Sequence, residues 1–311
     1  MISLRGLTKQ YGSTRAVDDL TFDVQPGQVT GFLGPNGAGK STTMRLMLGL
    51  ERPTAGTVTI QGRPYVNIRR PLFHVGALLD AKAFHTDRTA FHHLRCLALS
   101  NHIPTSRVHD VLDQVGQSDV AGRRAGTFSL GMSQRLGIAA ALLGDPPILL
   151  FDEPVNGLDA EGIYWIRTLL RQLAGEGRTV FISSHLMSEM ALTADHPIVV
   201  GRGRLIADTD VDSFIRTSQL GRVVVRSPHL DQLTLVLADA GATCTLDPQA
   251  PNTATVTGLT DTEVGDRAAI RHLTIHGLAV EDAPLEAAFM ALTQDSVEFR
   301  AEPSTLARTA P

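Results

Sequence analysis

In the first part of the chain, segments with the apolar spacing of a strand alternate with segments that have the apolar spacing of a helix. Short apolar runs and two-residue alternation predict strands, whereas apolar residues spaced three or four apart predict helices. The predicted strands are Ile2–Leu7, Ala16–Val24, Val29–Leu33, Thr57–Ile60, Leu72–Leu79, Pro147–Phe151 and Thr179–Ser184. The predicted helices are Thr42–Leu50, Thr89–Ser100, Arg107–Val115, Met132–Leu143 and Gly162–Ala174. Because strands and helices follow one another, we expect a layered α/β domain.

Beyond Gly221 the order of elements changes. The predicted strands are Val223–Arg226, Thr243–Leu246, Thr253–Val256 and Ile275–Val280, and the predicted helices are His229–Ala240 and Thr260–His272. The order βαββαβ is that of a ferredoxin-like α+β domain. Pro284–Leu292 predicts a closing amphipathic helix, and the polar residues 294–311 predict a disordered tail. We therefore expect one domain over residues 1–215 and an accessory domain over residues 221–293.

Composition and charge support two domains and exclude nucleic-acid binding. The chain has 311 residues, of which 43% are hydrophobic and 19% charged, as is usual for a protein with a sizeable core. The segment from Leu220 to Pro311 carries six arginines and twelve acidic residues, while the rest of the chain is close to neutral. Neither part has the basic excess of a nucleic-acid-binding domain, so we expect no nucleic-acid partner.

The sequence predicts neither a membrane-spanning helix nor a signal peptide, and its two cysteines do not form a metal-binding motif. No apolar run in the sequence reaches the roughly 18 residues that a membrane-spanning helix needs. Met1–Gln10 alternates and carries two basic residues, unlike a signal peptide. Cys96 and Cys244 lie far apart without metal-ligand spacing, which indicates reduced cytosolic thiols.

A glycine-rich segment between the third predicted strand and the first predicted helix fits the pattern GxxxxGK[ST]. Backbone N–H groups of such a loop surround a polyphosphate, and the positive end of the following helix adds to the attraction. Lys40 would place a positive charge on the β- and γ-phosphates, and the Ser41 hydroxyl suits Mg²⁺. The alternative, a glycine-rich turn with a chance lysine, is disfavoured by the flanking strand and helix. The residues expected to bind the nucleotide here are Gly34, Pro35, Asn36, Gly37, Ala38, Gly39, Lys40, Ser41 and Thr42.

The apolar strand ending at Phe151 is followed directly by two acids, Asp152 and Glu153. Carboxylates at the end of a buried strand are costly unless they are neutralised. Asp152 suits Mg²⁺, the Walker B role, and Glu153 would then polarise the attacking water. Alone, the pair could equally be loop acids after a core strand, but the phosphate loop makes that interpretation less favourable.

A third motif identifies the family that the chain resembles. The run Phe128-Ser129-Leu130-Gly131-Met132, followed by Ser133-Gln134-Arg135, lies between the two Walker elements. It resembles the ABC-transporter signature, usually written LSGGQ. Ser129 and Gly131 match that pattern, while Leu130 and Met132 depart from it.

The resemblance assigns roles to four further residues. Asp159, in Asn156-Gly157-Leu158-Asp159, corresponds to the D-loop, His185 to the switch histidine at the γ-phosphate, and Tyr11 to the aromatic residue that stacks on adenine. Without the resemblance, His185 would be a solvated loop residue and Tyr11 a strand-edge tyrosine. Asp80 stands where the family has a glutamine, and as a hard oxygen ligand it could still contact the metal.

The resemblance also implies a function. Residues 284–293 look like the closing helix of drug- and antibiotic-efflux ATPases of the daunorubicin- and bacitracin-resistance type. We therefore expect a P-loop ABC ATPase domain with a helical subdomain near residues 81–145, binding ATP and Mg²⁺. It would act as a homodimer, with Ser129 and Gly131 closing over the partner's nucleotide. It would drive export of a small molecule through a separate membrane permease, without contacting that molecule itself. Bound to the permease, the chain would lie at the cytoplasmic face of the membrane, and it would be cytoplasmic when alone.

Two alternatives stay open at this point. One is a soluble ABC ATPase of the repair or translation type, although only one set of motifs occurs. The 111 residues between Lys40 and Asp152 also contain no heptads and no cysteine cluster. The other is a regulatory subunit that binds ATP without hydrolysis, against which the presence of Glu153 and His185 argues. The accessory domain could bind an effector, support dimerisation, regulate closure or only stabilise the chain.

Overall fold

The computed structural model describes residues 1–209, 222–247 and 250–281. Up to residue 209 the strands are β1 (Ile2–Tyr11), β2 (Thr14–Val24), β3 (Val29–Leu33), β4 (Ala55–Ile60), β5 (Val75–Leu78), β6 (Ile148–Phe151), β7 (Thr179–Ser184), β8 (His196–Gly201) and β9 (Arg204–Asp208). The helices are α1 (Lys40–Met47), α2 (Ala90–Ser100), α3 (Ser106–Gln114), α4 (Leu130–Leu142), α5 (Ala160–Gly175) and α6 (Met187–Ala191).

A six-stranded sheet in the order β5-β6-β7-β3-β8-β9 forms the centre of this part of the chain. Its strands are parallel except β9, which pairs antiparallel with β8. All residues of β3, β6 and β7 are buried, which explains their nearly continuous apolar sequence. Because parallel strands end at the same edge, the loops after β3, β6 and β7 meet there.

A second, antiparallel sheet in the order β2-β1-β4 packs beside the first. Phe22 of β2 meets Phe32 of β3 and Phe181 of β7, with ring centroids 5.7 and 6.2 Å away. These rings and their aliphatic neighbours form one core cluster with α1. The cluster fixes β1, and therefore Tyr11 at its end, next to the first turn of α1.

The helices α2, α3 and α4 pack together around Leu94, Val108, Val111 and Leu136, all fully buried. Thr89 caps α2, since its hydroxyl accepts a hydrogen bond from the His92 N–H. These helices lie within the predicted helical subdomain. Helix α4 also packs on β5, so the signature motif at its start is held close to the central sheet.

The C-terminal part contains β10 (Arg222–Arg226), α7 (Leu230–Asp239), β11 (Thr243–Leu246), β12 (Thr253–Thr257), α8 (Asp261–Ile270) and β13 (Gly277–Glu281). Its strands form an antiparallel sheet in the order β11-β12-β10-β13. Val225, Leu233, Val256 and Val264 belong to its own core. The elements follow the predicted order βαββαβ, while the assignment to the ferredoxin-like class stays a prediction. The predicted boundary at 215–221, the closing helix Pro284–Leu292 and the tail 294–311 lie outside the described residues.

One predicted strand was wrong in its first half. Pro71–Phe73, which overlaps the first two residues of the predicted strand Leu72–Leu79, forms a 3-10 turn, and β5 begins only at Val75. Pro71 has a fixed φ and no N–H, and Arg70 before it adopts a φ of +53°, so the chain turns here instead of extending. The sequence reading also did not identify α6, β8 and β9. Within the described ranges, no helix is long and apolar enough to cross a membrane.

Candidate functional site

The phosphate loop (residues 34–41) connects β3 to α1 at the edge where the parallel strands end. Gly39, directly before the helix, has a φ of +95°, and a Cβ there would lie 2.3 Å from the Ala16 carbonyl oxygen. Only glycine fits this position. Gly39 offers no side chain to cap α1. The helix therefore presents its first N–H groups to an anion bound in the loop.

Lys40, at the end of the loop and the first residue of α1, is almost completely buried, with 6% of its surface exposed. Its Nζ donates to the carbonyl oxygens of Gly34 at 2.7 Å and Pro35 at 3.2 Å. Nζ also lies 3.5 Å from Glu153 Oε1. Burial lowers the pKa of Lys40 below its ordinary value, and the carboxylates of Glu153 and Asp152 offset only part of that shift. The loop thus holds a compact positive charge facing the acids that end β6.

Asp152 and Glu153 are fixed by the neighbouring strands β5 and β7. The Asp152 N–H donates to the Leu78 carbonyl oxygen at 2.8 Å. Ser183 of β7 acts on both acids, since its hydroxyl donates to the Asp152 carboxylate and accepts from the Glu153 N–H at 2.9 Å. Glu153 has a φ of +49°, a left-handed conformation that costs a non-glycine residue about 1–2 kcal/mol.

The Glu153 carboxylate lies between two basic side chains. His185, in the loop after β7, places Nδ1 2.9 Å from Glu153 Oε2, while Oε1 faces Lys40. The predicted residues Lys40, Asp152, Glu153 and His185 are therefore brought together. This combination can bind a polyphosphate and orient a water molecule for attack on it.

Mg²⁺ fits the donors that surround this site. Ser41 is exposed in the first turn of α1, and the partly exposed Asp152 directly follows β6, at the same edge of the central sheet. A hydroxyl and a carboxylate are hard oxygen ligands, and Mg²⁺ commonly takes only one or two protein ligands, completing its shell with phosphate and water. Within the described residues, no group of three or more His, Cys, Asp or Glu side chains could hold a metal ion.

Asp80 lies in the exposed loop after β5. Its Oδ1 accepts a hydrogen bond from the Lys82 N–H at 2.8 Å, which closes a local turn. No hydrogen bond or ion pair joins Asp80 to Ser41 or Asp152 within the described part of the chain. Its role as a metal contact therefore stays a prediction.

Tyr11 lies beside the phosphate loop at the end of β1. Tyr11 is 45% exposed, and Lys9 Nζ lies 4.9 Å from the centroid of its ring. The phenol donates to the Glu51 carboxylate and has the Thr42 hydroxyl as a further partner. Desolvation, followed by the bond to Glu51, raises the pKa of Tyr11. The predicted residues Tyr11 and Thr42 thus lie together, next to the expected phosphate position.

The signature residues begin α4 and make no hydrogen bond to the phosphate loop among the described residues. Ser129 caps this helix, its hydroxyl accepting from the Met132 N–H at 3.2 Å. Gly131 faces Gly157, whose carbonyl oxygen would lie 3.3 Å from a Cβ at position 131. Asp159 caps α5 by accepting from the Gly162 N–H at 2.8 Å. A contact of Ser129, Gly131 or Asp159 with nucleotide stays a prediction.

Two further polar residues at this site were missed as functional residues from sequence. Ser183 lies directly after the apolar run Val180–Ile182 of β7, and Gln134 is a buried amide in an Ala-rich helix, so both stand out from their surroundings. Their contacts with Asp152 and Glu153 depend on which strands and helices become neighbours. The sequence pattern did not specify those contacts.

Two family models match separate parts of the chain. A family model described as ABC transporter matches residues 17–156, and a model of a domain of unknown function matches residues 221–286. The chain is 39% identical over 244 residues to the bacitracin transport ATP-binding protein BcrA of Bacillus licheniformis, covering 74% of this chain and 80% of the relative. It is 34% identical over 220 residues to the lantibiotic transport ATP-binding protein SrtF of Streptococcus pyogenes, covering 71% and 95%.

A solved structure supports the fold independently of close sequence similarity. This is a dimeric ATP-binding cassette in a post-hydrolysis state with ADP and Pi, which has a TM-score of 0.63 at 23% identity. The match covers 68% of this chain and 99% of that one. It therefore extends over nearly the whole of a single cassette.

Proposed function

The chain belongs to the ATP-binding proteins of ABC transporters, and we propose that it hydrolyses ATP to drive export of a small molecule through a separate membrane permease. The observation that carries this proposal is the convergence of Lys40, Asp152, Glu153 and His185 at one edge of the central sheet. Relatives named for bacitracin and lantibiotic transport support an antibiotic or similar compound as cargo.

Binding begins with the phosphate loop. Lys40 and the N-terminus of α1 hold the β- and γ-phosphates, and Tyr11 stacks on the adenine. Ser41 and Asp152, with Asp80 as a further candidate, would hold Mg²⁺, which neutralises charge on the phosphate oxygens when bound. Because Ser183 donates to Asp152, the carboxylate keeps a fixed orientation toward that ion.

Hydrolysis depends on Glu153 and His185. The Glu153 carboxylate accepts a hydrogen bond from a water molecule, whose oxygen attacks the γ-phosphorus in line with the bond to the leaving oxygen. That bond breaks as the new one forms, ADP leaves, and the proton of the water passes to the carboxylate or to the released phosphate. His185 holds Oε2 of Glu153, so the carboxylate cannot turn away from the water.

The second half of the site comes from another copy of the chain. Ser129 and Gly131 begin α4, where free N–H groups and the helix dipole attract the γ-phosphate of nucleotide bound to a partner. A dimeric solved cassette with the same fold supports this arrangement. ATP would thus join two subunits, Asp159 would lie at their interface, and hydrolysis would let them separate.

The permease would contact the helical subdomain. We place its docking surface at the Asp80 loop and the outer side of α2, where Leu99 is exposed, whereas Leu94 and Ala98 belong to the core. Such docking would hold the chain at the cytoplasmic face of the membrane. The cargo would pass through the permease and not touch this chain.

Co-expression and co-purification with a candidate membrane permease, sought among the products of the neighbouring genes, test this function. Cells would express both proteins, and the inhibitory concentration of bacitracin would be measured with the wild-type chain and with Lys40→Ala. We expect a stable complex whose ATP hydrolysis and bacitracin resistance both require Lys40. Hydrolysis without any bound permease, together with unchanged resistance, would instead favour an ATPase that works alone.

A further inference from the structure

Helix α4 begins at the signature motif and is therefore called the signature helix. One of its buried residues, Gln134, contacts the backbone of Glu153, the glutamate proposed to orient the water. Gln134 is only 4% exposed, and its Nε2 donates to the Glu153 carbonyl oxygen at 3.1 Å. The same nitrogen lies 3.4 Å from the Asn156 carbonyl oxygen. A glutamine that only filled space in this helix would not need its amide aimed at two backbone acceptors.

The segment that Gln134 contacts is a turn under strain. The Asn156 N–H also donates to the Glu153 carbonyl oxygen, at 3.2 Å, so residues 153–156 form a closed turn. Glu153 enters this turn at a φ of +49°. Its N–H is held by Ser183 and its carbonyl by Gln134. A strained conformation persists only where its surroundings enforce it, and these two side chains hold both ends of the residue.

The orientation of this peptide decides where the carboxylate points. Rotation about φ of Glu153 would swing its side chain away from Lys40, which lies 3.5 Å from Oε1, and from His185, which lies 2.9 Å from Oε2. Losing the amide would leave the Glu153 carbonyl with one fewer donor, inside a partly buried turn. The left-handed conformation would then be less favoured.

The signature helix also packs directly on Gly157, the residue that follows this turn. A Cβ at Gly157 would lie 2.2 Å from Leu130 Cδ2, so the two meet without space between them. One turn later, the guanidinium of Arg135 stacks on Trp165 of α5 at 4.1 Å. Leu130, Gln134 and Arg135 therefore connect α4 to the segment that runs from Glu153 into α5.

We propose that Gln134 is a positioning residue, which holds the Glu153 carboxylate in place through the Glu153 backbone and so ties the signature helix to the hydrolytic site of the same chain. The inference rests on the proposed function, in which Glu153 orients the water. In the ATP-bridged dimer, this helix begins at the partner's nucleotide. Closure of one site would therefore stabilise the glutamate of the other.

The test compares two buried glutamines on the purified full chain. Gln134→Leu keeps the volume and removes the donor, and we expect kcat for ATP to fall by about tenfold or more with KM changed less than about threefold. Gln117→Leu is the matched control, because Gln117 is 2% exposed and donates to the Met132 carbonyl at 2.7 Å without touching Glu153. It should lower the melting temperature similarly while kcat stays within about twofold of wild type.

A pH profile separates positioning from simple loss of structure. The carboxyl introduced by Gln134→Glu can donate to the Glu153 carbonyl only when it is protonated, and burial raises the pKa of such a carboxyl. We expect its kcat relative to wild type to recover as the pH falls from about 8.5 to about 6. If Gln134→Leu does not fold, this profile decides alone.

The outcomes distinguish this inference from the proposed function. If Glu153→Gln abolishes turnover but Gln134→Leu keeps wild-type kcat, or Gln134→Glu shows a flat relative profile, only the positioning role is overturned. An equal loss of kcat in Gln117→Leu also overturns it. If Glu153→Gln hydrolyses ATP normally, the proposed role of Glu153 is the part that is wrong.

Discussion

His185 Nδ1 lies 2.9 Å from Glu153 Oε2, while the other oxygen of the same carboxylate faces the Lys40 ammonium at 3.5 Å. The three side chains lie just beyond the ends of three different parallel strands, β3, β6 and β7, of the central sheet. The carboxylate is therefore held from both sides before it meets a water molecule. Each contact can be removed separately, which makes the contribution of each side chain measurable.

His185→Ala should slow hydrolysis by roughly a hundredfold, because Glu153 loses the partner that fixes Oε2. The KM for ATP should change little, since the phosphate loop is intact, and phosphate release measures both constants. His196→Ala is the matched control, because His196 Nε2 lies 2.6 Å from Asp208 Oδ1 and so forms another histidine–carboxylate pair. His196 begins β8, whereas His185 follows the end of β7, so the two pairs lie at opposite edges of the sheet. Equal losses in the two variants would contradict the role of His185.

Lys40→Ala should weaken ATP binding and turnover together, each by roughly tenfold or more, because the buried ammonium contacts the phosphates in both the ground and transition states. Calorimetry gives the affinity, and phosphate release gives the rate. Lys82→Ala removes an exposed lysine and should change neither. Unchanged affinity in Lys40→Ala would show that the loop does not cradle phosphate.

Tyr11→Ala should raise the KM for ATP by roughly tenfold at unchanged kcat, because stacking on the adenine is lost while the reacting phosphate is untouched. Tyr11→Phe keeps the ring and removes only the hydroxyl that contacts Glu51 and Thr42. It should therefore bind ATP like the wild type. If Tyr11→Phe raises the KM for ATP as much as Tyr11→Ala does, the tyrosine contributes through its contact with Glu51 and not through stacking.

Asp80→Asn tests the unusual residue at the Q-loop position. Asparagine keeps an oxygen that can accept from the Lys82 N–H, so the local turn should survive while the negative charge is lost. In the intact complex with the permease, we expect transport to fall more than ATP hydrolysis. If transport and hydrolysis are both unchanged, Asp80 does not couple the metal to the permease.

The elements of the site that sequence predicts are those that lie close together along the chain. The phosphate loop and the pair Asp152-Glu153 each combine a buried strand with the residues that directly follow it. A local pattern therefore specifies both their structure and their chemistry. The parallel strand order then brings Lys40, Glu153 and His185 together, as the motifs imply.

The residues that sequence does not identify act across the sheet. Ser183 reaches Asp152 and Glu153 only because β6 and β7 are neighbours. Gln134 reaches Glu153 only because α4 packs on β5, the neighbour of β6 in the sheet, next to the turn that follows β6. Neither adjacency is visible in the period of apolar residues. The strand predicted at Leu72–Leu79 begins late for a different reason, because Pro71 and Arg70 turn the chain where the apolar pattern predicts an extended backbone.

The most direct test of the central proposal is the oligomeric state of Glu153→Gln with and without ATP and Mg²⁺. Light scattering gives the molar mass of the particle in solution, and phosphate release is measured on the same samples. The amide keeps the size of the side chain but cannot accept a proton from water, so ATP should stay bound and hold two subunits together. We expect an ATP-dependent dimer without phosphate release, and a monomer when Ser129→Arg is added to block the signature. Wild-type hydrolysis by Glu153→Gln, or a monomer that binds ATP without dimerising, would contradict the proposal.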